Sequence, residues 1–244
     1  MRVLKGAEVS AKIKEEVQAA LAKCKGEAPK LAIIRVGENP DDISYEKGAT
    51  KKLTSFGLEV ESKVFPGDIS DEAFKKEFAA INADASVDGI LMLRPLPKQI
   101  NEQDIEKMID PAKDLDGISP VNIAKVFSGD TSGFAPCTAE AVVCMLKMND
   151  IALSGKRVAV VGRSMVVGRP LSMLLLHENA TVTICHSRTA NLPEVCREAD
   201  ILTACVGKAA MINHTYVKKD AVVIDVGINV DENGKLCGDV DFAD

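Results

Sequence analysis

The sequence predicts an α/β protein of two lobes: an N-terminal α/β substrate lobe and a C-terminal Rossmann-type dinucleotide-binding lobe, each with a mainly parallel sheet. Two observations carry this expectation. Apolar runs of strand length alternate with segments of helical spacing along most of the chain, the pattern of βαβ units. Residues 158–189, VAVVGRSMVVGRPLSMLLLHENATVTICHSRT, then form a strand–turn–helix–strand unit of the size that binds a dinucleotide. The boundary is set at residues 137/138, giving a substrate-binding catalytic domain over 1–137 and a nucleotide domain over 138–244.

The elements follow in order. Residues 8–23 have helical spacing of apolar positions, and 31–36 read as a buried strand ending at Gly37. A helix over 41–56 opens at Pro40-Asp41 and stops at Gly57. A strand over 58–65, a helix over 70–82 and a strand over 89–93 complete the first alternation. Past Pro95-Leu96-Pro97 comes a short helix over 103–109. Residues 111–136 read as loop, being punctuated by Gly117, Pro120, Gly129 and Gly133. A helix over 138–149 precedes the nucleotide unit, which further strands at 201–205 and 221–226 extend. A substrate belongs in the cleft that two such lobes enclose.

Composition narrows the class. An apolar content of 46% is ordinary for a globular chain of 244 residues, and a net charge of −6 offers no basic footprint for nucleic acid. No apolar run approaches the ~18 residues of a membrane helix, and the charged N-terminus lacks the apolar core of a signal peptide. Seven cysteines without a C-x-x-C pair fit reduced thiols in the cytoplasm, and no metal site is expected.

In the nucleotide unit, Gly162, Arg163 and Ser164 form the turn after the first strand, and Gly168 opens the helix. Backbone N–H groups and a helix N-terminus are thereby offered to a pyrophosphate. A complete G-x-G-x-x-G is absent, because Arg163-Ser164 stands where the middle glycine would be, so an ordinary βαβ turn is the bland alternative. The second strand ends in Cys185-His186-Ser187-Arg188, with no carboxylate to hold ribose hydroxyls. Ser187 and the guanidinium groups of Arg163 and Arg188 suit a 2′-phosphate, which favours NADP, with NAD as the alternative.

Nine motifs in order now resemble one family, the methylenetetrahydrofolate dehydrogenase/cyclohydrolases. They are Val36-Gly37-Glu38-Asn39-Pro40 with Ser44-Tyr45, Asp88-Gly89-Ile90-Leu91, Pro95-Leu96-Pro97 and Lys113-Asp114-Leu115-Asp116-Gly117. Pro136-Cys137-Thr138, Gly162-Arg163-Ser164 with Val167-Gly168-Arg169-Pro170, and Cys185-His186-Ser187-Arg188-Thr189 follow. Asp225-Val226-Gly227-Ile228-Asn229 and Gly238-Asp239-Val240-Asp241-Phe242 are the last. The resemblance implies a cytoplasmic homodimer in one-carbon metabolism that oxidises 5,10-methylenetetrahydrofolate to the 5,10-methenyl cation with NADP. In most members the same site then hydrolyses that cation to 10-formyltetrahydrofolate. It further implies that Tyr45 stacks on the folate aminobenzoyl ring, that Asp116 hydrogen-bonds the pterin, and that Pro95 and Leu96 line the folate site. Gly162, Arg163, Ser164, Gly168, Ser187, Arg188 and Ile228 fall to the cofactor. Read without the family, Tyr45 is an amphipathic helix residue, and Asp114 and Asp116 are turn formers beside Gly117.

Three departures from the family bear on chemistry. The lysine expected four residues after the tyrosine, one helical turn along the same face, is Ala49. The glutamine expected two residues before the first proline of P-L-P is Leu93. Neither replacement offers a proton or a hydrogen bond, so loss of the hydrolytic step is expected while hydride transfer survives. Lys47 and Lys51 point about 200° and 240° away from Tyr45, whereas Lys52 shares its face roughly 10 Å further along. A fully bifunctional enzyme that borrows Lys52 is therefore one alternative. The third departure is that the family's final P-V-P-G-G-type loop and last helix do not follow Asp244. Two rivals remain: a two-lobed dehydrogenase of hydroxy or amino acids, for which His177, His186 and His214 supply no evident acid–base pair, and a non-catalytic folate- or nucleotide-binding homologue.

Overall fold

The computed structural model describes residues 2–24, 26 and 28–244, and the chain divides into two compact units. The first comprises Val3–Lys125 with Thr131–Ala135, and the second Pro136–Asp244 with Val126–Asp130 and Arg2.

The first unit starts with helix α1 (Gly6–Leu21), strand β1 (Lys30–Val36) and helix α2 (Pro40–Phe56). Strand β2 (Glu59–Phe65), helix α3 (Asp71–Ala83) and strand β3 (Gly89–Met92) follow, with helices α4 (Glu102–Met108) and α5 (Pro120–Ser128) after them. The three strands are parallel in the order β2-β1-β3. The middle strand β1 is apolar nearly throughout because both its faces are covered. Side chains at i, i+4 and i+7 of α3, namely Phe74, Phe78 and Ile81, pack on Ala32, Ile34, Ile90 and Met92. Asn39 starts α2 by accepting a hydrogen bond from the Asp41 N–H at 3.0 Å, and Pro40 needs no partner in the first turn. Gly57 ends it in the left-handed region at φ 99°, where its lack of Cβ removes the strain.

Helix α5 corrects the expectation of loop over 111–136. Glycines and prolines dominated that reading, yet Ser119 Oγ accepts from the Asn122 N–H at 3.1 Å and Pro120 takes the first helical position. The start is fixed by a side chain just ahead of the helix: Asp114, wholly buried, accepts from the N–H groups of Ile118 and Ser119 at 3.0 and 2.8 Å and from Asn122 Nδ2 at 2.9 Å.

The second unit runs through α6 (Cys137–Met148), β4 (Arg157–Val161), α7 (Gly168–His177), β5 (Thr181–Cys185), α8 (Leu192–Arg197), β6 (Ile201–Ala204) and β7 (Val222–Asp225). A two-stranded hairpin, β8 (Asn229–Val230) with β9 (Leu236–Cys237), follows. Four strands lie parallel in the order β5-β4-β6-β7. Ala139, Val142, Val143 and Leu146 of α6 pack with Leu171 and Leu175 of α7 on one face of this sheet. Ala159, Val161, Leu202 and Ala204 turn to the other face, over Cys196 of α8. Among the described residues, no helix is long and apolar enough to cross a membrane.

Candidate functional site

Each unit has the same topological device. In a parallel sheet built outward in both directions from its first strand, the loops at the carboxyl ends of the two strands flanking the reversal diverge and leave a crevice. In the first unit the reversal lies between β1 and β3, and in the second between β4 and β6. Tyr45, Pro95 and Leu96 follow β1 or β3 and Gly162 to Gly168 follow β4, whereas Ser187 and Arg188 follow β5 and Ile228 follows β7.

In the first unit, β1 runs into the Gly37-Glu38-Asn39 turn and then into α2, which carries Tyr45 and Ala49. Tyr45 is exposed, and Ala49 is half-buried about one turn further along, near the same helix face. The neighbouring Glu46 turns the other way and is buried, its Oε2 2.5 Å from Arg35 Nε of β1. Arg35 also donates to the Gly37 carbonyl, so one guanidinium ties the end of β1 to the helix that carries Tyr45. Burial alone pushes the Glu46 carboxyl up. Hydrogen bonds from Ser62 and Arg35, with the charges of Arg35 and Lys47, outweigh burial and hold it below its ordinary 4.5.

From the end of β3 the chain continues through Leu93, Arg94 and Pro95, the Arg94–Pro95 bond being cis. Leu93 is buried, and its N–H still donates to Ile34 of β1 at 2.9 Å. Leu96 is buried as well and donates from its N–H to Glu102 Oε2 at 3.0 Å, while Pro95 is exposed. The segment 113–115 runs beside β3, with Asp114 bridged to Ile90. That register delivers Asp116 to the level where β3 ends. The two acids of this motif therefore separate: Asp114 is buried and holds the loop together, whereas Asp116 is partly open.

Arg94 was passed over in the sequence. Its Nη1 lies 3.5 Å from both Glu102 and Glu106, and its Nη2 3.5 Å from Asp116 Oδ2. At that length the contacts are ion pairs more than hydrogen bonds. Burial pushes the Glu106 carboxyl up against the pull of Arg94, and the charges of Glu102 and Asp114 add to the rise. No motif announces this cluster, since its members come from three segments. The one available signal was an arginine between Leu93 and Pro95, followed by acids at i and i+4 of a short helix. Among the described residues no group of His, Cys, Asp or Glu is arranged to hold a metal ion.

In the second unit, Gly162 leaves β4 at φ 138°, its N–H donating to Cys185 of β5 at 2.9 Å. Ser164 knits the turn: its Oγ accepts from the Val167 N–H at 3.1 Å and its carbonyl from the Arg169 N–H at 3.0 Å. The start of α7 passes so close to this turn that a Cβ on Gly168 would meet the Gly162 carbonyl and stand 2.8 Å from the Arg163 nitrogen. Both glycines are thus required by space, although the middle glycine of the motif is missing. The crowding sets the Arg163–Val167 backbone beside the N-terminus of α7, the kind of place where backbone N–H groups can receive an anionic group. After β5, residues 186–189 close into a turn. The His186 N–H donates to Thr189 Oγ1 at 2.9 Å, and the Arg188 N–H donates to His186 Nδ1 at 3.1 Å. Ser187 and Arg188 are exposed at its tip, and Arg163 and Ser164 are exposed in the neighbouring turn.

Ile228 is exposed in the loop after β7. Asp239, which lies in a motif given no role from the sequence, anchors that loop. Wholly buried, it accepts from the N–H groups of Val206, Gly207 and Lys208 at 2.6, 3.1 and 2.7 Å and from Asn229 Nδ2 at 2.9 Å. Asp225 in turn accepts from the N–H groups of Asp239 and Gly227, at 2.9 and 3.1 Å. Two carboxylates thereby fasten the loops after β6 and β7 at the carboxyl edge of the sheet. The Cys205 thiol in the first of these loops is pushed up to about 11, by burial and then by the Asp239 charge.

Two family models match the chain. Residues 4–116 match the family model for the tetrahydrofolate dehydrogenase/cyclohydrolase catalytic domain, and residues 136–244 match that for its NAD(P)-binding domain. The chain is 53% identical over 243 residues to the bifunctional protein FolD of Carboxydothermus hydrogenoformans, spanning 98% of this chain and 85% of that protein. A crystal structure of the bifunctional enzyme FolD from Campylobacter jejuni is similar with a TM-score of 0.96 at 38% identity, over 100% of this chain and 87% of that one. The Trypanosoma brucei methylenetetrahydrofolate dehydrogenase-cyclohydrolase, solved with NADP cofactor and an inhibitor, is similar with a TM-score of 0.88 at 31% identity, over 98% and 83% of the two chains.

Proposed function

Since the chain belongs to the tetrahydrofolate dehydrogenase/cyclohydrolase family, we propose that it is an NADP-dependent methylenetetrahydrofolate dehydrogenase whose cyclohydrolase step is lost or weak. The observation that carries the second part is the chemistry of two positions, one on the helix that carries Tyr45 and one just ahead of the Pro95 turn. Ala49 and Leu93, both hydrocarbon, stand where the family has a lysine and a glutamine.

The two steps of the family ask different things of a protein. Oxidation requires the methylene carbon to be held still and dry, and a bound nicotinamide supplies the hydride acceptor. Tyr45 offers a ring face to the aminobenzoyl group, Asp116 offers acceptors to the pterin N–H groups, and Pro95 and Leu96 wall the site. None of them has to move a proton. Gly162, Arg163, Ser164 and Gly168 would hold the pyrophosphate, Ser187 and Arg188 the 2′-phosphate, and Ile228 would flank the nicotinamide. Hydrolysis, in contrast, requires a side chain to orient water and carry its proton away. Ala49 and Leu93 do neither. Lys52 shares the face of Tyr45 but sits about 10 Å further along the helix axis. Arg94 is near Asp116, yet a guanidinium keeps its protons at all working pH values and this one already faces three carboxylates. We place the enzyme in the cytoplasm as a homodimer on the resemblance to the family.

The test is to supply methenyltetrahydrofolate to the purified protein and follow its loss against buffer alone. The expected rate equals that of buffer, and Ala49→Lys with Leu93→Gln is expected to raise it well above. Ring opening by the unmodified protein at a turnover comparable with its dehydrogenase rate would overturn the second part of the proposal. Absence of NADP reduction on adding methylenetetrahydrofolate would overturn the first.

A further inference from the structure

We propose that Asp239 is a positioning residue for the nicotinamide half of the cofactor, setting the loops after β6 and β7 as one unit; this rests on the reading of the second unit as an NADP domain with Ile228 beside the nicotinamide. Direction comes from the strand order β5-β4-β6-β7. With the 2′-phosphate at the end of β5 and the pyrophosphate at the end of β4, an extended dinucleotide continues toward β6 and β7. β4 and β7 are two strand spacings apart, about 10 Å, so the loops along that span bear on a single bound molecule. The two sides also abut. A Cβ on Gly162 would meet the carbonyl oxygen of Cys205, the residue after β6, and stand 2.7 Å from its sulfur.

Asp239 lies in neither loop and holds both. Its Oδ2 accepts from the N–H groups of Val206 and Gly207 at 2.6 and 3.1 Å, and its Oδ1 from the Lys208 N–H at 2.7 Å and from Asn229 Nδ2 at 2.9 Å. The first three donors belong to the loop after β6, and Asn229 directly follows Ile228 beyond β7. Four donors thus converge on one wholly buried carboxylate and occupy both its oxygens. The N–H groups of 206–208 are thereby taken, so this edge is not built to receive a further phosphate. From the other side, Gly227 packs so closely on the carboxylate that a Cβ there would meet Asp239 Cγ and Oδ1 and stand 2.8 Å from its nitrogen. Ile228 itself is 84% exposed. A side chain that protrudes so far takes its place from the backbone beneath it, and on both flanks, at Gly227 and at Asn229, that backbone leans on Asp239. An apolar side chain fixed in this way is in place before a planar ring arrives, which spares the cost of ordering it on binding. The adenosine half is served by other turns, those of Gly162–Gly168 and of Ser187 and Arg188, which Asp239 does not touch.

The experiment compares the whole protein with Asp239→Asn, Gly227→Ala and Ile228→Lys. It measures the dissociation constants of NADP and of 2′-phospho-ADP-ribose, which keeps the adenosine, 2′-phosphate and pyrophosphate but has no nicotinamide, together with kcat and thermal midpoint. Asparagine keeps the shape of the side chain, yet its amide nitrogen cannot accept, so in either orientation two of the four donors lose their acceptor. Asp239→Asn is expected to raise the NADP dissociation constant about tenfold and to lower kcat, with that of the fragment within about twofold. Gly227→Ala presses on the same junction without removing an acceptor. It is expected to show the same selective loss, and it carries the comparison should Asp239→Asn not fold. A fall in thermal midpoint accompanies either variant; a merely structural role would weaken NADP and the fragment alike. Equal weakening of the two ligands in Asp239→Asn, or none, beside a loss of NADP alone in Ile228→Lys overturns the positioning role and leaves the cofactor reading intact. Unchanged affinity for NADP in both Asp239→Asn and Ile228→Lys overturns both.

Discussion

Gly168→Ala is the sharpest perturbation of the nucleotide turn. The added Cβ would meet the Gly162 carbonyl and stand 2.5 Å from its carbon and 2.8 Å from the Arg163 nitrogen, all backbone atoms without a rotamer to yield. Ordinary carbon contacts need about 3.5–4 Å, so the turn or the helix must move by roughly an ångström. Forced overpacking of this kind costs about 1–3 kcal/mol. Alanine in place of a helical glycine returns roughly 0.5–1 kcal/mol. The net destabilisation is therefore about 0–2.5 kcal/mol, a fall of up to about 10 °C in thermal midpoint for a chain of this size. The larger effect is on the ligand, because the displaced backbone is the part that would cradle the pyrophosphate, and the NADP dissociation constant is expected to rise at least about tenfold. Quenching of nucleotide fluorescence on titration with NADPH, beside a thermal melt, measures both quantities. Wild-type affinity beside a lowered midpoint would show that the crossing of Gly162 and Gly168 is not where the dinucleotide sits.

Other perturbations bear on how the two edges are held. Glu46 has its carboxyl held low in the folded state, so the stability it contributes is complete above its ordinary value of 4.5 and is lost as pH falls through the lower folded value. Glu46→Gln removes that acid-side slope and, by stranding Arg35, costs roughly 3 kcal/mol near neutral pH; denaturant midpoints collected from acid to neutral pH check both. Asp239→Ala leaves three backbone N–H groups and the Asn229 amide without their acceptor. A loss of about 3 kcal/mol or more is expected, with weaker NADP binding, and folate affinity measured without nucleotide should be unchanged.

Much of the architecture was legible because local signals and topology agreed. Pro40-Asp41 and Gly57 bracket α2, and apolar runs mark the strands, whereas the reversals at β1/β3 and β4/β6 come from the observed strand order. Legibility failed where structure depends on side-chain contacts or on segments too short to leave a pattern. Helix α5 is started by Asp114 through contacts invisible in a loop-like composition. Helix α8 spans only Leu192–Arg197, too short to show a period. The site followed the same rule. Tyr45, Leu93 and Asp116 stood out because motifs carried them, and the sheet brings their segments to one edge. Arg94 and Asp239 did not stand out, since the partners of each come from other segments and a lone charged residue in sequence resembles any solvated one.

The proposed enzyme oxidises its folate substrate while its hydrolytic step is lost or weak. Product analysis tests it in one run: the protein is given methylenetetrahydrofolate and NADP, and NADPH, methenyltetrahydrofolate and 10-formyltetrahydrofolate are followed together. Methenyltetrahydrofolate is expected to accumulate in step with NADPH, with the formyl product emerging at or near the rate seen in buffer. Formyl product keeping pace with NADPH from the first turnovers, while the methenyl form stays low, would contradict it.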